Sequence, residues 1–272
     1  MASLYQLRND GSIWEYTGTP MTGWQQLDNN AAATALAAGP NTLYQLHNDG
    51  SIWQYTGTPM TGWQELDNNP AAKAIVAGPD ALYQLHNDGS IWQYTGTPMT
   101  GWQQLDDNSY TTSIVTNPDG RLYQLRSNGR IWQYMGTPMT GWQEVDNNPS
   151  ATAIAGGSTT VYQLHNDGSV WEYTGTDWQQ IDSNANTKFI VGGANTIYQL
   201  HNNGHIWEYT GTPMTGWREL DNNSAATAIV SNSDALYQLH NNGSIWQYTG
   251  TPITGWQELD NNATTTALAS AR

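Results

Sequence analysis

One short stretch is written seven times along the chain, and this limits the possible folds more than any other feature. Its second copy reads Leu43-Tyr44-Gln45-Leu46-His47-Asn48-Asp49-Gly50-Ser51-Ile52-Trp53-Gln54-Tyr55-Thr56-Gly57. Two runs of strand-forming residues flank Asn-Asp-Gly. Asn and Asp tolerate the left-handed region and Gly enters it at little cost, so the stretch is predicted to be a β-hairpin. Tyr5, Tyr44, Tyr83, Tyr123, Tyr162, Tyr198 and Tyr237 mark the copies, at spacings of 39, 39, 40, 39, 36 and 39 residues.

The residues between hairpins complete a unit. In the third copy, Ala74 to Gly78 is a short strand of mostly small apolar residues, followed by a turn at Pro79-Asp80. Leu82 to His86 and Ser90 to Thr95 are the hairpin strands; a Gly96-Thr97-Pro98-Met99-Thr100-Gly101 loop then leads to a fourth strand, Trp102 to Asp106. Four short strands in each repeat of ~40 residues predict an all-β fold, a seven-bladed β-propeller of four-stranded antiparallel blades. Large side chains at adjacent positions, such as Leu82-Tyr83 and Ile91-Trp92, suit sheets covered on both faces. The small residues of the first strand suit the narrow centre of a wedge. The chain starts on a second strand, Leu4 to Leu7, and ends on a lone first strand, Thr266 to Ala269. Pairing these N- and C-terminal strands would close the ring and remove its exposed edges. The repeats run end to end, so residues 1–272 read as one domain.

Two units depart from the pattern. The fourth has one extra residue within Thr116 to Arg121, and Ser127-Asn128-Gly129-Arg130 at its turn; the fifth has lost three residues at Thr174-Gly175-Thr176-Asp177-Trp178. The sixth hairpin has His205 where Ser is usual.

The net charge of −15 makes nucleic acid and anionic membranes poor partners. Only 11% of residues are charged, so the polar surface is mostly amide and hydroxyl, which suits neutral, hydroxyl-rich ligands. There is no Cys, hence no disulfide or thiolate chemistry. Met1-Ala2-Ser3-Leu4 shows no signal-peptide pattern and no apolar run reaches ~20 residues, so the expectation is a cytoplasmic or non-classically secreted protein without membrane insertion.

Two polar clusters per unit are expected on one face of the ring. The first follows the fourth strand: Asp28-Asn29, Asp67-Asn68, Asp106, Asp146-Asn147, Asp182, Asp221-Asn222 and Asp260-Asn261. The second ends the second strand: Arg8, His47, His86, Arg126, His165, His201 and His240. Carboxylates, amides and imidazoles beside Trp and Tyr can hold vicinal hydroxyls while a ring covers a sugar's C–H face. Asp-Asn and Asn-Asp-Gly also form turns for purely conformational reasons, and the Trp residues also serve as wedge-filling core. A ring of equal sites argues against an enzyme, since a catalytic site is one asymmetric constellation. Histidines ~39 residues apart lack metal-ligand spacing, so neither a metal nor a cofactor is expected.

The unit Leu-Tyr-Gln-Leu-His-Asn-Asp-Gly-Ser-Ile-Trp-Gln-Tyr-Thr-Gly, followed by Gly-Trp-Gln-Glu-Leu-Asp-Asn-Asn, resembles tectonin-type and tachylectin-type repeats over essentially the whole chain. The resemblance implies a multivalent lectin that binds N-acetylglucosamine or related N-acetylated or neutral sugars between adjacent blades, with glycans or glycoproteins as partners and no enzymatic activity. The alternative expectation is a protein-interaction propeller scaffold, natural or engineered, without a sugar ligand.

Overall fold

A computed structural model of the chain describes residues 3–271. Met1 and Ala2, read above for the absence of a leader, lie outside the described residues. The architecture is the expected one: seven four-stranded antiparallel sheets, each one blade. In the third blade the strands are Ala72–Ala77, Leu82–His86, Ile91–Tyr94 and Trp102–Asp106, in that spatial order. The ring closes as the chain ends require. The last strand, Thr265–Ser270, pairs antiparallel with the first, Leu4–Arg8, with Leu4 opposite Ser270 and Gln6 opposite Leu268. That blade, blade 1, is therefore built from both ends of the chain.

The seven first strands pack against one another around the axis. Their small side chains answer to that crowding, most severely at Gly192: a Cβ there would lie 1.9 Å from the Gly156 carbonyl oxygen of the neighbouring blade. Leu36, Ile75, Val115, Ile154, Val230 and Leu268 line an apolar central cavity of about 320 Å³. Phe189, the one Phe in the chain, also borders it and remains 45% exposed.

The core lies between blades rather than within them. Tyr44, Leu46, Ile52 and Leu66 of blade 2 form one cluster with Ala72, Ile75 and Leu82 of blade 3. Equivalent clusters repeat around the ring. Each strand pair thus buries residues of both parities, as the sequence pattern required.

The hairpin turns and the links between blades share a face. Gly50, at φ 87°, has no room for a Cβ, which would meet the Asn69 carbonyl oxygen at 2.4 Å. The Asn48 amide, in the same turn, donates to the Ala32 carbonyl of the preceding link at 2.8 Å.

Gly192→Ala should destabilise the ring by about 1–3 kcal/mol, the usual cost of overpacking. Gly57→Ala provides the contrast, because no atom lies within 4 Å of its would-be Cβ and only its φ of 99° opposes the change. Urea unfolding of the two variants checks this; equal midpoints would contradict it.

Candidate functional site

The expected acidic cluster is a seam, not an open surface. Asp28, Asp67, Asp106, Asp221 and Asp260 are each 5–8% exposed, and Asp146 and Asp182 are half-buried. In six blades the carboxylate accepts a hydrogen bond from a buried Gln amide at the centre of the next blade's second strand. The pairs are Gln45 with Asp28, Gln84 with Asp67, Gln124 with Asp106, Gln199 with Asp182, Gln238 with Asp221 and Gln6 with Asp260, at 2.7–2.9 Å. The second oxygen commonly receives the following backbone amide, as at Asn29, Asn68, Asn147, Ser183 and Asn261. A buried carboxylate is tolerated here because hydrogen bonds replace the water it has lost.

The histidines sit beside the same bond. His47, His86, His165, His201 and His240 are 3–6% exposed, and each ring stacks on the Trp of the adjacent strand with centroids 5.5–5.8 Å apart. Arg8 and Arg126 take that place in blades 1 and 4. Their guanidinium carbons lie 4.2 and 4.3 Å from the ring centroids of Trp14 and Trp132. Both also reach the carboxylate, with Arg8 Nη2 3.4 Å from Asp260 and Arg126 Nη2 3.4 Å from Asp106. Of the expected residues, Asn29, Asn68, Asn147, Asn222 and Asn261 are the exposed ones.

A first-strand hydroxyl decides whether this network is complete. Thr265, Thr111 and Thr187 donate to Gln6, Gln124 and Gln199 Oε1 at 2.7, 2.6 and 3.2 Å. His201 Nε2 also donates to Gln199 Oε1, at 2.9 Å, which places the ring proton on Nε2. Blades 2, 3, 5 and 7 have Ala33, Ala72, Ala151 and Ala226 instead, and there both Gln Oε1 and His Nε2 are buried without a partner.

A second recurring group was not singled out from the sequence. At each seam a second-strand Tyr, buried in six blades and half-buried at Tyr198, faces a third-strand Tyr of the next blade, as Tyr83 does Tyr134 and Tyr44 does Tyr94. The third-strand Tyr packs on its own blade's fourth-strand Trp at 5.2 Å, and that Trp donates its indole N–H to the preceding blade, Trp102 to the Leu66 carbonyl at 3.0 Å. Between blades 3 and 4, Tyr83 and Tyr134 border an open cleft of about 520 Å³, which also includes Gln93, Gln103, Arg121 and Pro138. The extra residue of the fourth unit lies in the loop that supplies Asp119, Gly120 and Arg121 to this cleft. Burial raises the phenol pKa of Tyr83 and Tyr134, so both stay neutral and able to donate at neutral pH.

The seams are not chemically equal. Amides flank the pair between blades 2 and 3 (Gln54, Gln64), 3 and 4 (Gln93, Gln103), 4 and 5 (Gln133, Gln143), and 7 and 1 (Gln247, Gln257). The remaining three carry a carboxylate: Glu15, Glu172 or Glu208, the last paired with Arg218. Among the described residues no group of three or more His, Asp or Glu gathers to hold a metal ion.

No family model matches the chain, and no curated protein matches it. Solved propellers do match in shape. Yeast RCC1 (Prp20), solved bound to Kap60, superposes with a TM-score of 0.69 at 10% identity, covering 97% of this chain and 84% of its own. YCF48, solved with a D1 peptide, gives 0.66 at 15%, covering 91% and 89%. The computationally designed Ika8 protein gives 0.65 at 18%, covering 98% and 86%. At these identities the likeness establishes the fold alone.

Two predictions follow from the network. Ala72→Thr places a hydroxyl beside Gln84 Oε1, as three other blades do, and should stabilise by about 0.5–1.5 kcal/mol, the net worth of one hydrogen bond; denaturant unfolding measures it. Separately, burial lowers the pKa of all five stacked histidines. The folded state thus takes up their protons less readily than the unfolded chain, whose His pKa is about 6.5. Their stability contribution is therefore full above pH ~6.5 and is lost as pH falls through the lower folded values. The melting temperature should drop across that window, and His→Arg at these positions, following Arg8 and Arg126, should flatten the drop. Calorimetry against pH checks both.

Proposed function

We propose that this propeller is a multivalent binding module whose ligands are neutral or N-acetylated glycans, held at its Tyr- and amide-lined seams. The observation that carries the reading is the cleft between blades 3 and 4, where two Tyr side chains adjoin the amides of Gln93 and Gln103. Aromatic rings cover the apolar face of a pyranose, and planar amides donate to and accept from its vicinal hydroxyls. The same set recurs with a Pro-containing loop between blades 2 and 3 (Tyr44, Gln54, Gln64, Tyr94, Pro98) and between 7 and 1 (Tyr237, Gln247, Gln257, Tyr16, Pro20). These three amide seams are the leading sites. The buried Asp, His and Arg act as the wall that holds the blades, and the exposed Asn residues of the opposite face offer secondary contacts. Single-site affinity should be weak, on the order of tens of μM to mM. Display of several sites on one rigid ring raises avidity for glycan-coated surfaces. The module performs no chemistry of its own.

The second reading is a protein-interaction scaffold. It is favoured by the structural neighbours, two of which were solved with protein or peptide partners, and by the broken symmetry of the fourth and fifth blades.

A glycan array on the labelled protein separates the two. Focused binding to N-acetylhexosamine or neutral-sugar termini, weakened in Gln93→Ala and Gln54→Ala variants that keep the wild-type melting temperature and lost when Gln54, Gln93 and Gln247 are all Ala, is the expected result. A blank array, or retained binding when Gln54, Gln93 and Gln247 are all Ala, would end the seam assignment. Alanine at Asp67 or His86 is a poorer probe, since it disrupts a buried network and confounds binding with stability.

A further inference from the structure

Six blades fill a seat on their neighbour that the seventh leaves open. In the loop between third and fourth strands, Met21, Met60, Met99, Met139, Met214 and Ile253 all sit at φ 66–68°, a conformation that ordinary side chains avoid. Each of these amides donates to a carbonyl on the preceding blade: Leu259, Leu27, Leu66, Leu105, Ile181 and Leu220, at 2.8–2.9 Å. All six carbonyl-bearing residues are fully buried, at 0% exposure.

Blade 5 has no such residue. Its loop closes as the others do, the Thr174 amide donating to the Asp177 carbonyl at 2.8 Å, but it is three residues shorter and lacks the segment that reaches the preceding blade. The preceding blade shows the consequence at Val145. Its carbonyl keeps the Trp178 indole at 2.8 Å but receives no backbone amide, and Val145 is half-buried where its six equivalents are sealed. Next to it, Asp146 is also half-buried, and its buried Oδ2 has no hydrogen-bond partner. Gln163, whose six equivalents donate to this oxygen, makes no such bond here.

We infer that this open seat, bounded by Val145, Asp146 and Trp178, is a docking site for a tight loop of another protein that presents one unbranched or branched aliphatic residue with a free backbone amide. The six filled seats define that chemistry: an amide for the carbonyl, from a left-handed turn whose Met or Ile side chain lies over the seam, 40–46% exposed. A second copy of this chain does not fit. Its own Met loops have already committed their amides, and two chains of net charge −15 repel. The inference holds whether or not the seams bind sugar.

The probe is a cyclic peptide containing Gly-Thr-Pro-Met-Thr-Gly-Trp, titrated into the full chain labelled with ¹⁵N. Saturable shifts should be confined to the Val145 and Asp146 amides and the Trp178 indole. They should vanish when Ser replaces Met in the peptide. They should also weaken at least tenfold when Asp177 is replaced by Pro-Met-Thr-Gly, which restores the loop in cis and should raise the melting temperature. Unshifted spectra of the native chain at millimolar peptide, or an equal response from the refilled variant or the Ser peptide, would overturn the assignment.

Discussion

One hydrogen bond, from a buried Gln amide to the Asp that ends the preceding blade, organises the rest of the ring. A propeller blade cannot cover its own faces, so its stability lies in the contact with its neighbours. Apolar packing supplies the area, but area alone does not set the register between sheets. The Gln–Asp bond does, because a buried carboxylate without its partner is costly and tolerates little sliding. The stacked His–Trp pair, or Arg over Trp, closes the outer side of the bond. The first-strand Thr, where present, closes the inner side.

With most of these carboxylates, histidines and arginines turned into the blade interfaces, little charge is left for the surface at the seams. Four of the seven carry amides beside their tyrosines, and the fourth-strand Trp residues are tied by N–H bonds to the blade before them. Rigid aromatics beside amides offer recognition at low entropic cost. The departures from symmetry concentrate at blades 4 and 5. There a longer loop borders a cleft, and a shorter one uncovers a residue that every other blade buries.

Much of the fold was legible because it rests on local rules. Gly50 must be Gly for its positive φ, and Asn-Asp before it marks the turn. The strands Leu82–His86 and Trp102–Asp106 begin and end where the pattern placed them. The lone strands at the two ends could only be resolved by pairing. The site was less legible. His86 and Asp67 stand in polar, turn-like strings and read as surface, yet both are buried. Trp92 shares the predicted hairpin with His86, but Asp67 meets Gln84 only across a blade boundary whose alignment no local pattern states. The seam tyrosines were hidden for the same reason, since Tyr83 and Tyr134 are 51 residues apart.

The sequence by itself determined the number of blades, their four-strand make-up and the way the ring closes, because periodicity and turn chemistry act within a few residues. The tertiary structure alone decided which polar groups are buried, which seams present amides, and where the seat beside Val145 stands open. Those outcomes depend on contacts between blades. Met60 holds a left-handed backbone because a carbonyl on the blade before it accepts its amide, and the missing counterpart in blade 5 acquires meaning only beside the six that are filled.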